Sequence, residues 1–229
     1  MNRNIKRIMI DVKEVLSESI DNIHYSHDEQ NAYKGYACLK GPSKTPYEYG
    51  YYFFELDFPT NYPFSPPTVK FINYDSTTRF NPNLYINGKV CLSILNTWDG
   101  EKWSACQSIR TLLLMLLTLL NEEPLLNEPG ITRDHSNFEA YHQLIEYKNI
   151  EISVLKYIQK PNLPYPFHVF YPILVKGFLD HAPLILQKFQ HRPTQFLHLT
   201  LFNNQYAVLN YKNLMDMVQM TLDEFKFDE

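Results

Sequence analysis

The stretch RFNPNLYINGKVCLSIL, residues 79 to 95, places Cys91 eight residues after Asn83, the last member of an Asn-Pro-Asn tripeptide, with an Asn-Gly turn signal at 87 and 88 between them. A cysteine thiolate is a strong nucleophile, so the question is whether Cys91 reacts or packs. Free cysteine is among the most buried side chains and needs no partner in a core. No histidine falls within ten residues of Cys91 on either side, which argues against a papain-like hydrolase assembled from neighbours in sequence. Asn83 alone reads as a turn residue bonded to its own backbone, in a turn fixed by Pro82. His24 and His27 have the spacing of metal ligands, but no cysteine or carboxylate pair nearby completes a four-ligand set. They read as a solvated loop, and no metal is expected. Cys38 falls on a presumed strand and Cys106 at a presumed helix start, both as structural residues.

Around this stretch, NRNIKRIMIDVKEVLSESI sets Ile5, Ile8, Met9, Val12, Val15, Leu16 and Ile20 on one helical face, with Lys6, Arg7 and Lys13 on the other. YKGYACLKGP, YGYYFFELDF and PTVKFINY follow as short aromatic and β-branched runs, the second with Tyr52, Phe54, Leu56 and Phe58 alternating, and read as an antiparallel meander. Four prolines in the nine residues from Pro59 to Pro67 make a stiff surface loop. Beyond Cys91, Ser104 and Gln107 have capping-box spacing before a central apolar helix that ends ahead of Pro124. Ser136 and Glu139 repeat that spacing before a long third helix carrying Phe138, Tyr141, Ile145, Ile152 and Leu155. PNLPYPF at 161 to 167 breaks it, and FYPILVKGFLD and YKNLMDMVQMTLDEF continue with helical patterning. The boundary therefore falls between a domain over 1–160 and a helical extension over 161–229.

Composition narrows the class. An odd count of three cysteines without a Cys-x-x-Cys pair, and no leader pattern, fit a reducing cytoplasmic or nuclear setting. A formal net charge of −4 carries no basic stripe, so nucleic acid is not expected as a partner. The longest apolar run, LLLMLLTLL at 112 to 120, is nine residues, too short to span a bilayer, and no membrane is expected.

Taken together, IKRI at 5 to 8, GPSKTPYEYGYYFFELDFPTNYPFSPPTVKF at 41 to 71, and the spacing of NPN to CLSIL resemble the ubiquitin-conjugating (E2) enzymes over roughly residues 3 to 160. FNPNLYINGKVCLSILNTW followed by NEPG looks most like long E2s with C-terminal extensions and like the E2 modules of hybrid E2/E3 proteins. The resemblance implies the α/β (α+β) UBC fold, a four-stranded antiparallel meander with flanking helices. It implies that Cys91 accepts ubiquitin or a ubiquitin-like protein from an E1 as a thioester and passes it to a substrate lysine or an E3. Thioester exchange swaps one sulfur for another, so an ordinary thiol suffices without a strong base. Asn83 would stabilise the oxyanion of lysine attack, Lys6 and Arg7 would meet the E1, and Phe64 with the loop holding Ala105 would meet an E3. The enzyme itself binds no cofactor; ATP belongs to the E1.

Several departures stand out. Asn81 replaces the family's usual histidine, so any structural hydrogen bond made by that histidine must be taken over by an amide or lost. NTWDGEKW is four residues longer than in short E2s, and SAC at 104 to 106 replaces Ser-Pro-Ala. Leu126 falls near the position where many E2s carry an Asp or Ser that helps orient the incoming lysine, leaving Asn127 or His135 to substitute. The rival readings are a non-catalytic E2-like binding module and a cysteine hydrolase with a histidine brought close in space. The extension is too rich in aromatic and aliphatic residues to stay disordered and should pack on the domain, leaving Cys91 accessible.

Overall fold

The spacing of Ile8, Val12 and Val15 buries one helical stripe, and the computed structural model, which describes residues 3–202 and 204–227, forms α1 over Arg3–Ser17. Asn2, in the expected first turn, lies outside the described residues. Met9 and Leu16, expected on the buried face, are exposed, Leu16 by 60%. The inward stripe is narrower than seven apolar positions suggest, because Asp11 occupies part of it. Asp11 is buried and satisfied, accepting from Arg7 Nε at 2.8 Å and from the Tyr62 hydroxyl.

The sheet has four antiparallel strands in order β1-β2-β3-β4: β1 Ile23–His27, β2 Lys34–Lys40, β3 Tyr51–Asp57 and β4 Thr68–Phe71. His24 and His27, expected in a solvated loop, are the second and last residues of β1, paired with Cys38 and Gly35. IHYSH holds too few β-branched and apolar residues to announce a strand, and pairing with β2 decides the matter. Among the described residues no group of three or more His, Cys, Asp or Glu is placed to hold a metal.

The alternating Tyr52, Phe54, Leu56 and Phe58 are all buried, as expected, but so are Tyr51 and Phe53 on the opposite face. A second layer covers that outer face. After α2 (Ile109–Thr118) and α3 (Phe138–Lys148), the helix runs on in π geometry through Asn149–Lys156. The Phe53 ring meets those of Tyr157 and Phe167 edge-on, each at 5.3 Å. The Tyr51 hydroxyl donates to Ile173 O at 3.3 Å beside Gly177 of α4 (Tyr171–Phe189).

The cap positions differ from the sequence reading. Ser108, not Ser104, caps α2, accepting from Thr111 N. Asn137, not Ser136, is the N-cap residue of α3. Cys106 is exposed in the loop ahead of α2, while Cys38 is fully buried in β2, where burial pushes its thiol up.

The extension packs on the domain, as expected, but is not wholly helical. Between α4 and α5 (Tyr211–Phe227) lies an antiparallel hairpin, β5 Gln195–Leu199 and β6 Gln205–Leu209. Its turn has neither Gly nor Pro; Phe202 and Asn204 adopt positive φ instead, so the usual hairpin punctuation is missing. Glu146 of α3 ties the extension down through Lys188 at 3.0 Å and Arg192 at 2.5 Å. Tyr165–Phe189 also has the length and apolar composition to cross a membrane, a segment missed by attending only to the run at 112 to 120. Here its buried residues Leu174, Phe178, Ala182, Ile185 and Phe189 join the core.

Candidate active site

Asn81 builds the turn that presents Asn83. It is fully buried, donates to the Tyr47 hydroxyl at 3.0 Å and Leu119 O at 2.7 Å, and accepts from Asn83 N at 2.9 Å and Asn127 Nδ2 at 3.2 Å. Two donor hydrogens and one carbonyl oxygen are all used, which an imidazole could not match with its two ring nitrogens. The amide therefore takes over a structural role at this position. The Tyr47 hydroxyl in turn donates to Phe80 O at 2.7 Å, and the Tyr47 ring meets Tyr52 of β3 edge-on at 5.5 Å, so the β2–β3 connection links the turn to the inner face of the sheet.

Asn83 and Cys91 are joined twice. Cys91 N donates to Asn83 O at 2.9 Å, and Asn83 Nδ2 donates to Cys91 O at 2.7 Å. One amide hydrogen of Asn83 is thus committed to the cysteine's own backbone. The Asn-Gly turn between them works as expected: Gly88 at φ +85° fits where a Cβ would come within 2.7 Å of Phe71 O. After Cys91, Thr97 Oγ1 bonds Val90 O and Leu92 O and accepts from Leu92 N, pinning the turn Ser93–Leu95. The expected accessibility of Cys91 is not met: the residue is only 2% exposed, between the buried Val90 and Leu92. It nevertheless lies outside the hydrophobic core cluster.

The fallback residues for orienting a lysine do not converge. Leu126 and Asn127 line an open cleft with Asn121, Glu122 and Glu123, but Asn127 is committed to Asn81 and Asn121. His135 is drawn away, its Nδ1 accepting from Asn137 N at 3.1 Å at the start of α3. Glu123 is held by Arg133 through two bonds, which keep its carboxyl below the usual range.

The expected docking residues gather on one side. Lys6 is exposed, but Arg7 is half-buried and acts as a strut, donating to Ala105 O at 3.0 Å and Gln107 O at 2.8 Å. Trp103 Nε1 donates to Pro63 O at 2.6 Å, tying the lengthened loop to the proline-rich one. Between these ties Phe64 stands 77% exposed. Loop 104–106 thus lies against α1 without the Ser-Pro-Ala sequence.

Sequence reasoning missed Arg79. Its Nε donates to Pro82 O at 3.1 Å and its Nη2 bonds the same oxygen, gripping the tripeptide from behind. Nothing in its spacing marks it; only the folded turn brings its guanidinium to residue 82.

A family model described as "Ubiquitin-conjugating enzyme" matches residues 7–153. "Ubiquitin-conjugating enzyme E2 Z" of Xenopus tropicalis is 36% identical over 161 residues, covering 69% of this chain and 51% of that protein. The chain spans about half the length of the curated E2 Z relatives it matches. Human "Dual E2 ubiquitin-conjugating enzyme/E3 ubiquitin-protein ligase BIRC6" is 39% identical over 150 residues, covering 61% of this chain and 3% of that one. The crystal structure of a putative ubiquitin conjugating enzyme from Plasmodium yoelii superposes with a TM-score of 0.55 at 24% identity, covering 67% of this chain and 97% of that chain, and shows the fold. The family match over most of the domain, with the sheet order, the Asn-Pro-Asn turn and the cysteine paired to it, places this chain in the ubiquitin-conjugating enzyme family.

Proposed function

We propose that this chain is an active E2, taking ubiquitin or a ubiquitin-like protein from an E1 onto Cys91 and transferring it to a substrate lysine or an E3. The observation that carries the reading is the double tie between Cys91 and Asn83, which fixes an amide donor beside the cysteine without a histidine. In charging, the Cys91 thiolate attacks the E1 thioester carbonyl, and collapse of the tetrahedral intermediate expels the E1 thiolate. In discharge, the neutral lysine amine attacks the Cys91 thioester, the carbonyl oxygen becomes an oxyanion, the nitrogen loses a proton to solvent, and collapse breaks the C–S bond and returns the thiolate. Asn83 Nδ2 carries two hydrogens; one holds Cys91 O, and the second is available to the oxyanion.

Cys91 is 2% exposed as a residue, so the donor meets it as part of a closed turn rather than as a protruding side chain. Lys6 at the E1 face and Phe64 with Ala105 at the E3 face are the surfaces we assign to those partners, Arg7 acting between them as support. The test is incubation with E1, ATP and a panel of modifiers, read on non-reducing gels. Wild type should form a reducible thioester, Cys91→Ser a reductant-resistant, hydroxylamine-sensitive oxyester, and Cys91→Ala nothing. An Ala variant that charges normally would refute the assignment.

A further inference from the structure

The turn of the β5–β6 hairpin, some 120 residues from the tripeptide in sequence, lies against the active-site turn. Asn137 Oδ1 accepts from Thr200 N, Thr200 Oγ1 and Leu201 N, each at 2.9 Å, which fixes the hairpin tip at the start of α3. This docking brings the Phe202 ring centroid 4.3 Å from the Arg79 guanidinium carbon, which lies 3.8 Å from the Tyr85 ring centroid. Tyr141 closes the arrangement: its ring meets Phe202 edge-on at 5.7 Å, and its hydroxyl donates to Arg79 O at 2.6 Å.

We propose that Phe202 is a positioning residue for lysine transfer, acting through Arg79 and the Pro82 carbonyl to hold the Asn83 amide at the Cys91 thioester. This rests on the reading of Asn83 as the oxyanion donor. The connection is short and stiff. Arg79 is fixed on both sides by aromatic rings, its ion pair with Glu128 is long at 3.9 Å, and both of its bonds to Pro82 end on the peptide group that leads into Asn83. A guanidinium stacked between rings loses its freedom to leave the plane in which it meets that oxygen. Phe202 itself is held at φ +54°, a backbone region costly for a side chain of its size, so the docked tip rather than local preference sets its place. The extension thereby belongs to the catalytic unit, although it supplies no group that touches the reacting atoms.

The experiment is single-turnover discharge of pre-charged full-length enzyme to free lysine, in a cycle of Phe202→Ala with Asn83→Ala, below the unfolding transition of every variant. Phe202→Ala should lower the maximal rate about tenfold with the half-saturating lysine concentration unchanged, because a misplaced donor costs less than a removed one, which costs about a hundredfold. In the Asn83→Ala background, Phe202→Ala should cause no further loss. Phe202→Tyr should keep the wild-type rate and Phe202→Leu, which retains apolar bulk without a face to stack, should behave as Ala. Should the Ala variant not fold, the Leu variant and Arg79→Lys, which loses the planar fork, carry the same comparison. Normal discharge by the Phe202 variants while Asn83→Ala is slow overturns the proposal alone. Normal discharge by Asn83→Ala overturns the oxyanion reading beneath it. Additive losses in the double variant, or a change confined to lysine half-saturation, also overturn the route through Asn83.

Discussion

The two faces of the central sheet are held by different means. On the inner face Tyr52 stacks with Phe71, meets Tyr47 and Phe80 edge-on, and so joins the strands to the segment that carries the Asn-Pro-Asn turn. On the outer face Tyr36, Cys38, Tyr51 and Phe53 are buried under residues beyond 150, while the far end of the same face is polar, with Lys34 bridging Glu55 at 2.6 Å and Asp57 at 3.2 Å. The polarity of the outer face changes along the strands, from the part the extension covers to the part it leaves to solvent. A sheet meant to face water on that side would alternate polar residues along the whole of β3. The extension is therefore a second layer of the fold.

The strongest way to break this comparison is to remove the second layer. Truncation after Lys160 uncovers Tyr51 and takes Phe167 off Phe53, which keeps Tyr157, each ring contributing up to about 1.5–3 kcal/mol by burial, and also strips Tyr36 of its contact with Phe167. The two together contribute up to about 3–6 kcal/mol, which reaches the lower end of the whole stability of an ordinary domain, about 5–15 kcal/mol. The truncated protein should show no cooperative thermal transition, or one lowered by well over ten degrees or so. A transition within a few degrees of the full chain would make the outer face self-sufficient and the boundary at 160 a true domain limit.

The inner face has its own breaking point. Asn81→Ala removes four hydrogen bonds from a site with no exposure, stranding Asn83 N and leaving Leu119 O with only the long 3.5 Å bond from Asn127 Nδ2. Unsatisfied buried groups cost about 1–3 kcal/mol each, so a loss of roughly 3–4 kcal/mol is expected in chemical unfolding. If the variant is as stable as wild type, water has replaced the amide and the network is not what holds the turn.

A smaller change sharpens the outer contact. A Cβ at Gly177 would sit 1.9 Å from the Tyr51 hydroxyl oxygen, so Gly177→Ala must push α4 away from β3 or turn the ring. Overpacking of this kind costs about 1–3 kcal/mol, set against a gain in helix propensity of up to about 1 kcal/mol. Tyr51→Phe removes the nearest clashing atom but keeps Cζ at 2.9 Å, so it should recover part of the lost stability; destabilisation unchanged in the double variant would place the conflict elsewhere.

Much of the inner half was legible in the sequence, since strand alternation, the Asn-Pro-Asn spacing and the Asn-Gly turn are local signals. The outer half was less so. Tyr51 and Phe53 interrupt the polar side of an alternating strand, and that interruption was the one local sign of a covering layer. The β5–β6 hairpin lacked Gly and Pro in its turn, Ser108 outcompeted Ser104 because the helix begins later than its apolar spacing suggests, and Arg79 has a role only once residues 137, 141 and 202 surround it. Contacts made across such separations leave no periodicity to read.

The smallest effect concerns protons shared between the two regions. Burial holds the imidazoles of His24, His27 and His181 below their ordinary value of 6.5, and the positive charge of Lys40 adds to this at His24 on the sheet and His181 on α4. At His27 a hydrogen bond to Ala32 O and the charge of Asp28 partly offset burial. The unfolded chain takes up these protons first as pH falls, so stability is present in full above about 6.5 and declines below it, until the folded imidazoles titrate too. Asp28 and Asp75 are held below their usual range and stay charged above pH 5 or so, leaving histidine to govern this window. The melting temperature should therefore drop by on the order of a few degrees between about pH 7.5 and 5.5. Lys40→Met removes a cause common to sheet and extension and should flatten that drop, whereas His27→Gln should remove only the sheet-edge share. A melting temperature that rises toward pH 5.5, or a slope unchanged by Lys40→Met, would mean that Lys40 does not couple the strand to the helix laid across it.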